Sequence, residues 1–171
     1  MRKVTIGVAN SLDNFIARND HAVDWLLWNK EVAAITADFW KTIDTVVMGR
    51  KTYEVALKSG MTSYRGVKNY VFSRTMKERP DYRVEIVSED AAEFVRKLKR
   101  RKDKDICVMG GLAKSLFEAH LIDEIGLNIH PVLLGSGISP FLPMGRQLDL
   151  QLLECRPLKN DCVFLRYRVK H

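Results

Sequence analysis

The sequence is poor in cysteine, and the three it has form no pattern. Cys107, Cys155 and Cys162 are odd in number and widely spaced, with no C-x-x-C or mixed His/Cys arrangement. A disulfide framework and a zinc site are therefore excluded as organising features, and no metal is expected. Cys107 lies in the apolar run Ile106-Cys107-Val108-Met109, where a thiol acts as a small hydrophobe. No apolar run approaches the roughly 18 residues that a membrane-spanning helix needs. The opening Met1-Arg2-Lys3-Val4 passes straight into a strand-like pattern, without the apolar core or cleavage site of a secretory signal. Repeats, low-complexity tracts and linkers are also lacking. The expectation is a cytoplasmic protein with no membrane partner, folded as one domain over residues 1–171.

Charge of one sign is in excess. Lys and Arg number 28 against 21 Asp and Glu, a net +7, which favours anionic partners without naming them. Much of the excess lies in Arg96-Lys97-Leu98-Lys99-Arg100-Arg101-Lys102-Asp103-Lys104. This run closes a helical segment that opens on Ser88-Glu89-Asp90, so its ends complement the helix dipole. It reads as a solvated helix end, and no aromatic residue interrupts it to stack on bases. No nucleic-acid partner is expected.

Strand patterns cover Val4–Ala9, Thr45–Met48, Asn69–Phe72, Arg83–Val87, Ile106–Met109, Glu124–Leu133 and Val163–Val169. Helical patterns cover Lys30–Thr42, Lys51–Ser59, Glu89–Lys102 and Leu112–Ala119. Their alternation predicts an α/β fold with a mostly parallel central sheet flanked by helices. After Leu121 two strand signals follow with no helix between them, which predicts an antiparallel C-terminal strand pair.

Three turns at strand ends carry chemistry. In Val46-Val47-Met48-Gly49-Arg50-Lys51-Thr52, an apolar strand meets glycine, two bases and a hydroxyl before a helix begins. Free backbone N–H groups at such a helix start hold an anion, Gly49 admits a close approach, and Thr52 can cap the helix or bind a phosphate oxygen. A capped turn with two solvated bases is the plain alternative. Met109-Gly110-Gly111-Leu112 repeats the geometry, although it is not G-x-G-x-x-G and a lone Gly-Gly is usually only a turn. Ser73-Arg74-Thr75 ends a third strand with a hydroxyl, a base and a hydroxyl, a set able to grip a phosphate. Ligands in open α/β sheets collect beyond the C-terminal ends of strands, where such turns face one crevice.

These turns, in this order, resemble those of the dihydrofolate reductase superfamily. The nearer resemblance is to the reductase domain of bifunctional riboflavin-biosynthesis deaminase-reductases and their stand-alone relatives. It spans almost the whole chain, from Ser11-Leu12-Asp13-Asn14-Phe15-Ile16-Ala17 and Asp24-Trp25 to Pro131-Val132-Leu133-Leu134-Gly135-Ser136-Gly137. The resemblance implies a three-layer dihydrofolate-reductase-like fold and an NADPH-dependent reductase of a small heterocycle. It implies that Gly49, Arg50, Lys51, Thr52, Gly110, Gly111 and Leu112 hold the pyrophosphate, and that Ser73, Arg74 and Thr75 meet the 2′-phosphate. Ala9, Ile16 and Ala17 would border the nicotinamide. A cis Gly110-Gly111 peptide and a homodimer built on 124–134 and 162–169 are further implications.

The substrate half departs from the superfamily pattern. Matching Phe39-Trp40-Lys41 to the first long helix places Thr36 where a dihydrofolate reductase carries its acid, with Glu31 and Asp38 off that face. A threonine hydrogen-bonds a ring but does not deliver a proton as a carboxylic acid does, which argues against dihydrofolate reduction itself. Thr36, Asp13 and Trp25 are the catalytic-side candidates; Asp13 has a turn role as its alternative, and Trp25 sits in the loop before the helix. Two rival functions stand beside the reductase: a non-catalytic nucleotide-binding regulator on the same fold, and a nucleic-acid-binding protein using 96–104.

Overall fold

The computed structural model describes residues 1–171. Eight strands form one sheet: β1 Val4–Ser11, β2 Ile43–Gly49, β3 Lys68–Phe72, β4 Val84–Val87, β5 Asp105–Met109, β6 Glu124–His130, β7 Leu150–Pro157 and β8 Val163–Val169. Four helices accompany them: α1 Lys30–Thr42, α2 Arg50–Lys58, α3 Ala91–Lys99 and α4 Leu112–Glu118. The strand order is β4-β3-β2-β5-β1-β6-β8-β7. Neighbours from β4 to β6 run parallel, and β8 is antiparallel to both β6 and β7.

The central strands read as continuous apolar runs because both faces of the sheet are covered. Side chains alternate between the faces with period two. Val47, Ile106 and Val108 face Val95 and Leu98 of α3 and Leu116 and Phe117 of α4. Their neighbours Val46, Met48 and Cys107 pack on the opposite face with Tyr53 of α2 and with Phe39 and Trp40 of α1. Three layers result. Cys107 is buried there, and desolvation pushes its thiol pKa up to about 12, in keeping with a packing role.

Several expected boundaries move, each for a local reason. Helix α3 starts only after Asp90, whose carboxylate accepts the Glu93 N–H, so Glu89 lies outside it. Strand β6 stops at His130 because Pro131 has no N–H to continue the ladder. Strand β7 was not visible as a pattern. It forms the outer edge, is largely exposed on both faces and carries a register shift between Leu152 and Glu154. Strands β6 and β8, expected at a dimer surface, lie inside the sheet and so present faces, not a free edge.

The basic run needs correction as well. Arg96 and Lys97 pair with Glu93 and Glu89 on the surface. Lys99 instead turns inward, 7% exposed, with its ammonium 2.5 Å from Asp123 and 3.2 Å from the Leu121 carbonyl. A cation so committed is not part of a solvated stripe.

Candidate functional site

The site is built where β1 and β5 part. They pair in parallel only at Val4↔Ile106 and Thr5↔Cys107, after which β1 follows β6 as far as Ser11 and β5 follows β2 to Met109. A cleft therefore opens between their C-terminal ends, with Ala9 on one side and the Gly110-Gly111 turn on the other. This is the crevice that parallel α/β sheets offer to ligands.

Two of the three turns touch directly. A Cβ added to Gly110 would lie 2.1 Å from the Thr52 hydroxyl oxygen, so the first turn of α2 packs on a glycine that must stay a glycine. Gly110 also has φ of +65°, in the left-handed region that side-chain-bearing residues resist. The third turn joins through Arg50, which donates from Nη1 to the Thr75 hydroxyl at 2.8 Å. The turns that the sequence placed far apart thus share one cleft.

Their details refine the expectations. Gly49, not Thr52, is the N-cap of α2, with no side-chain cap, so Thr52 is free of that role and serves the contact with Gly110. Open space lies before Gly49, where a Cβ would meet nothing within 4 Å. The first N–H groups of α2 carry no capping side chain there, and Lys51 is exposed beside them. The Gly110-Gly111 peptide is trans, contrary to the cis expectation, and the chain turns there through the positive φ of Gly110. Leu112 begins α4 with Gly111 as an uncapped N-cap. Leu142 leans over Gly111, and Pro140 and Phe141 help wall a narrow crevice there. Ser73 holds its own turn, its hydroxyl accepting the N–H groups of Thr75 and Met76. Arg74 is exposed at the tip.

On the opposite side of the cleft, the loop after β1 is stitched to the loop after β6. Ile16 donates its N–H to the Ile138 carbonyl at 2.8 Å, and Ile138 donates to the Ala17 carbonyl at 2.9 Å. Gly137 makes this possible, since a Cβ there would lie 2.3 Å from the Ala17 oxygen. Asp13 completes the clasp. Its carboxylate accepts the Ser11 hydroxyl at 2.6 Å and the N–H groups of Leu134 at 3.1 Å and Gly135 at 2.7 Å.

The family model of the RibD C-terminal domain matches residues 2–164. The chain belongs to the RibD C-terminal domain family. The uncharacterized Bacillus subtilis protein YwjB is 35% identical over 155 residues, covering 88% of this chain and 89% of its own. A riboflavin-biosynthesis-like protein of Shewanella sp. PV-4 superposes with a TM-score of 0.87 at 23% identity, over 99% of each chain. Dihydrofolate reductase of Enterococcus faecalis, complexed with NADP(H), superposes with a TM-score of 0.69 at 15% identity, over 99% of this chain and 97% of that one. The dihydrofolate-reductase-like fold expected from the motifs is thereby established.

Within this RibD-type domain the three catalytic-side candidates fare differently. Asp13 ties the loop after β1 to the loop after β6: the Ser11 hydroxyl, followed by the backbone N–H groups, lowers its pKa, which is the opposite of what a proton donor needs. Trp25, a candidate to line a substrate pocket, lies in the loop before α1 but turns inward. It is 8% exposed, with its ring edge-on to His130 at 5.5 Å. Thr36 is half-buried on α1, next to Ile35, which packs with Phe164. The nearby carboxylates are spoken for: Glu31 accepts the Lys159 N–H, Asp38 pairs with Lys41, and Asp24 pairs with Arg18. Two polar residues escaped notice in the sequence, Asn10 and Asn128. Each interrupts a run of apolar strand positions close to the end of its strand, and that interruption was the available signal.

Proposed function

We propose that this RibD C-terminal domain protein is an NADPH-dependent reductase of a small heterocyclic metabolite. One observation carries the reading: Thr52 against Gly110 and Arg50 on Thr75 bring three anion-suited turns to one cleft. Membership of the RibD C-terminal domain family and a fold shared with a reductase complexed with NADP(H) support a reductase of the riboflavin or folate type.

The residues fit such a cofactor. Open space before Gly49 and uncapped N–H groups at the starts of α2 and α4 suit a pyrophosphate. Lys51 adds charge beside that pyrophosphate, Arg74 suits the extra phosphate of NADPH, and Ala9, Ile16 and Ala17 form the border for a flat ring. NADPH, when bound, supplies the hydride. The chain orients both rings through the β1 end and the clasped 12–17 loop, and Thr36 offers a hydrogen bond from α1. A homodimer fits the same reading, with β7 a free edge and Leu150 and Leu152 exposed along it at 39% and 52%. Sedimentation velocity decides that point.

Thermal unfolding tests the cofactor assignment. A ligand at about 100 times its dissociation constant adds about 2.7 kcal/mol of stability. For a chain of this size that raises Tm by about 5–11 °C. NADPH is expected to do so at lower concentration than NADH; no shift with either at millimolar levels overturns the proposal. Binding without oxidation across pterins, pyrimidines and flavins would favour the regulator instead.

A further inference from the structure

A second hollow lies at the far end of the sheet from the cleft. The cleft opens beyond the C-terminal ends of the strands, whereas Lys68 begins β3 and Val84 begins β4. The five residues of β3 separate those two ends by about 13 Å, at 3.3 Å per residue. The hollow measures about 170 Å³, and Lys68, Tyr70, Arg79, Tyr82, Arg83 and Glu85 line it. Pockets for drug-sized ligands run from about 300 Å³ upward, so this one suits something smaller than a dinucleotide.

Two cations reach the hollow with their charge largely unspent. Arg79 has no carboxylate partner; its one contact is Nη1 donating to the Val84 carbonyl at 3.5 Å. Lys68 is loosely matched, 3.8 Å from Asp103, which also faces Arg2 at 3.7 Å. A third cation, Arg83, is held in place. Buried Asp81 accepts its Nε at 2.9 Å and its Nη2 at 2.7 Å, and the same carboxylate takes the Thr62 and Ser63 hydroxyls. The guanidinium is thus fixed, with Nη1 left over as a donor.

Tyr70 adds a fourth donor. It is 8% exposed, and burial followed by the charge of Glu85 pushes its pKa up, so the hydroxyl keeps its proton. Glu85 stands opposite Tyr70 in the β3–β4 ladder and is the one carboxylate among the lining residues. Tyr82, 83% exposed with the Arg83 guanidinium 5.6 Å from its ring centre, stands at the rim. Donors exceed acceptors, so the set calls for an anion that brings acceptors of its own. Four donor side chains suit the three terminal oxygens of a phosphate monoester, where a carboxylate offers two.

We propose that this hollow is a second ligand site, for a small phosphate monoester that carries hydroxyl groups. The phosphate lies on Arg79, Lys68 and the free Nη1 of Arg83, with the Tyr70 hydroxyl as a further donor. Glu85 accepts from the hydroxyls of the ester and disfavours a bare phosphate by its charge. The site shares no residue with the three turns of the cleft.

NMR titration of the full chain with glycerol 3-phosphate and with inorganic phosphate, at constant ionic strength, tests the proposal. Glycerol 3-phosphate is expected to shift the amides of 68–70 and 79–85 saturably in the millimolar range, and to bind there more tightly than inorganic phosphate. Arg79→Ala is expected to weaken this binding about tenfold or more, the scale of one charge-assisted contact. Lys77→Ala removes the same charge from an exposed position of the same segment, outside the hollow, and is expected to change nothing. Glu85→Gln is expected to narrow the preference for the ester severalfold, mainly by tightening inorganic phosphate. Arg79 and Glu85 are exposed, and unshifted amides in β2 and β5 check that both variants fold. Shifts confined to 49–52 and 110–112, no saturation at millimolar concentration, equal weakening by Arg79→Ala and Lys77→Ala, or a preference unmoved by Glu85→Gln overturns the proposal. Failure of NADPH to bind the cleft leaves all of these results as they are, so the two readings fail separately.

Discussion

Replacing Gly110 with alanine tests the contact on which the site depends. Two costs follow from the structure. At φ of +65° a side-chain-bearing residue loses about 1–2 kcal/mol. The new Cβ would also lie 2.1 Å from Thr52 Oγ1 and 3.0 Å from its Cγ2, an overpacking cost of about 1–3 kcal/mol. Gly110→Ala should therefore destabilise by about 2–5 kcal/mol. At a urea slope near 2 kcal/mol/M, the midpoint falls by about 1–2.5 M. Thr52→Ala removes Oγ1 and Cγ2 and with them most of the clash. In that background Gly110→Ala should cost only the backbone share, about 1–2 kcal/mol. The cycle thus predicts a coupling of about 1–3 kcal/mol between residues 58 positions apart, read from four urea curves. Zero coupling would mean that α2 and the glycine pair do not touch, and the shared cleft would be refuted.

The remaining predictions concern the clasp and the basic run. Asp13→Ala should speed hydrogen exchange of the Leu134 and Gly135 amides by roughly tenfold or more, read by NMR, while amides in β2 and β5 keep their protection. The Asp13 pKa is lowered, so the clasp is fully formed above the ordinary aspartate value of about 3.9 and is lost only as pH falls below it. The two amide shifts should titrate with a midpoint on the acid side of that value. Lys99→Met should cost about 3 kcal/mol in denaturant unfolding, the low end for breaking a buried pair, because Asp123 keeps its bond from the Val4 N–H. A change in salt-dependent nucleic-acid affinity without loss of stability would contradict this.

The turns were legible because the signal for them is local. Gly49 and Gly110 each end a β-branched or apolar run and start a helical one, so the switch of period marks both strand ends. The parallel core was legible for the same reason, since strands buried on both faces spell continuous apolar runs. Strand β7 was not legible, because an edge strand half in water needs neither alternation nor apolarity, and its bulge breaks what alternation there is. The role of Asp13 depends on amides 121 and 122 residues away, and the His130 ring accepts from one 103 residues away. No local pattern encodes such partners. The inward turn of Lys99 was hidden by its neighbours, whose charges do face solvent.

Central to the proposed function is one cradle, made by the three turns, for the phosphates of NADPH. Calorimetric titration of NADPH and NADH into the wild type and an Arg74→Ala variant tests it most directly. Each charge-assisted contact to the extra phosphate is worth about 1.5–3 kcal/mol, so the variant should lose roughly ten- to a hundredfold or more in NADPH affinity. NADH affinity should change by far less. Equal losses for both cofactors, or no loss for either, would contradict the account.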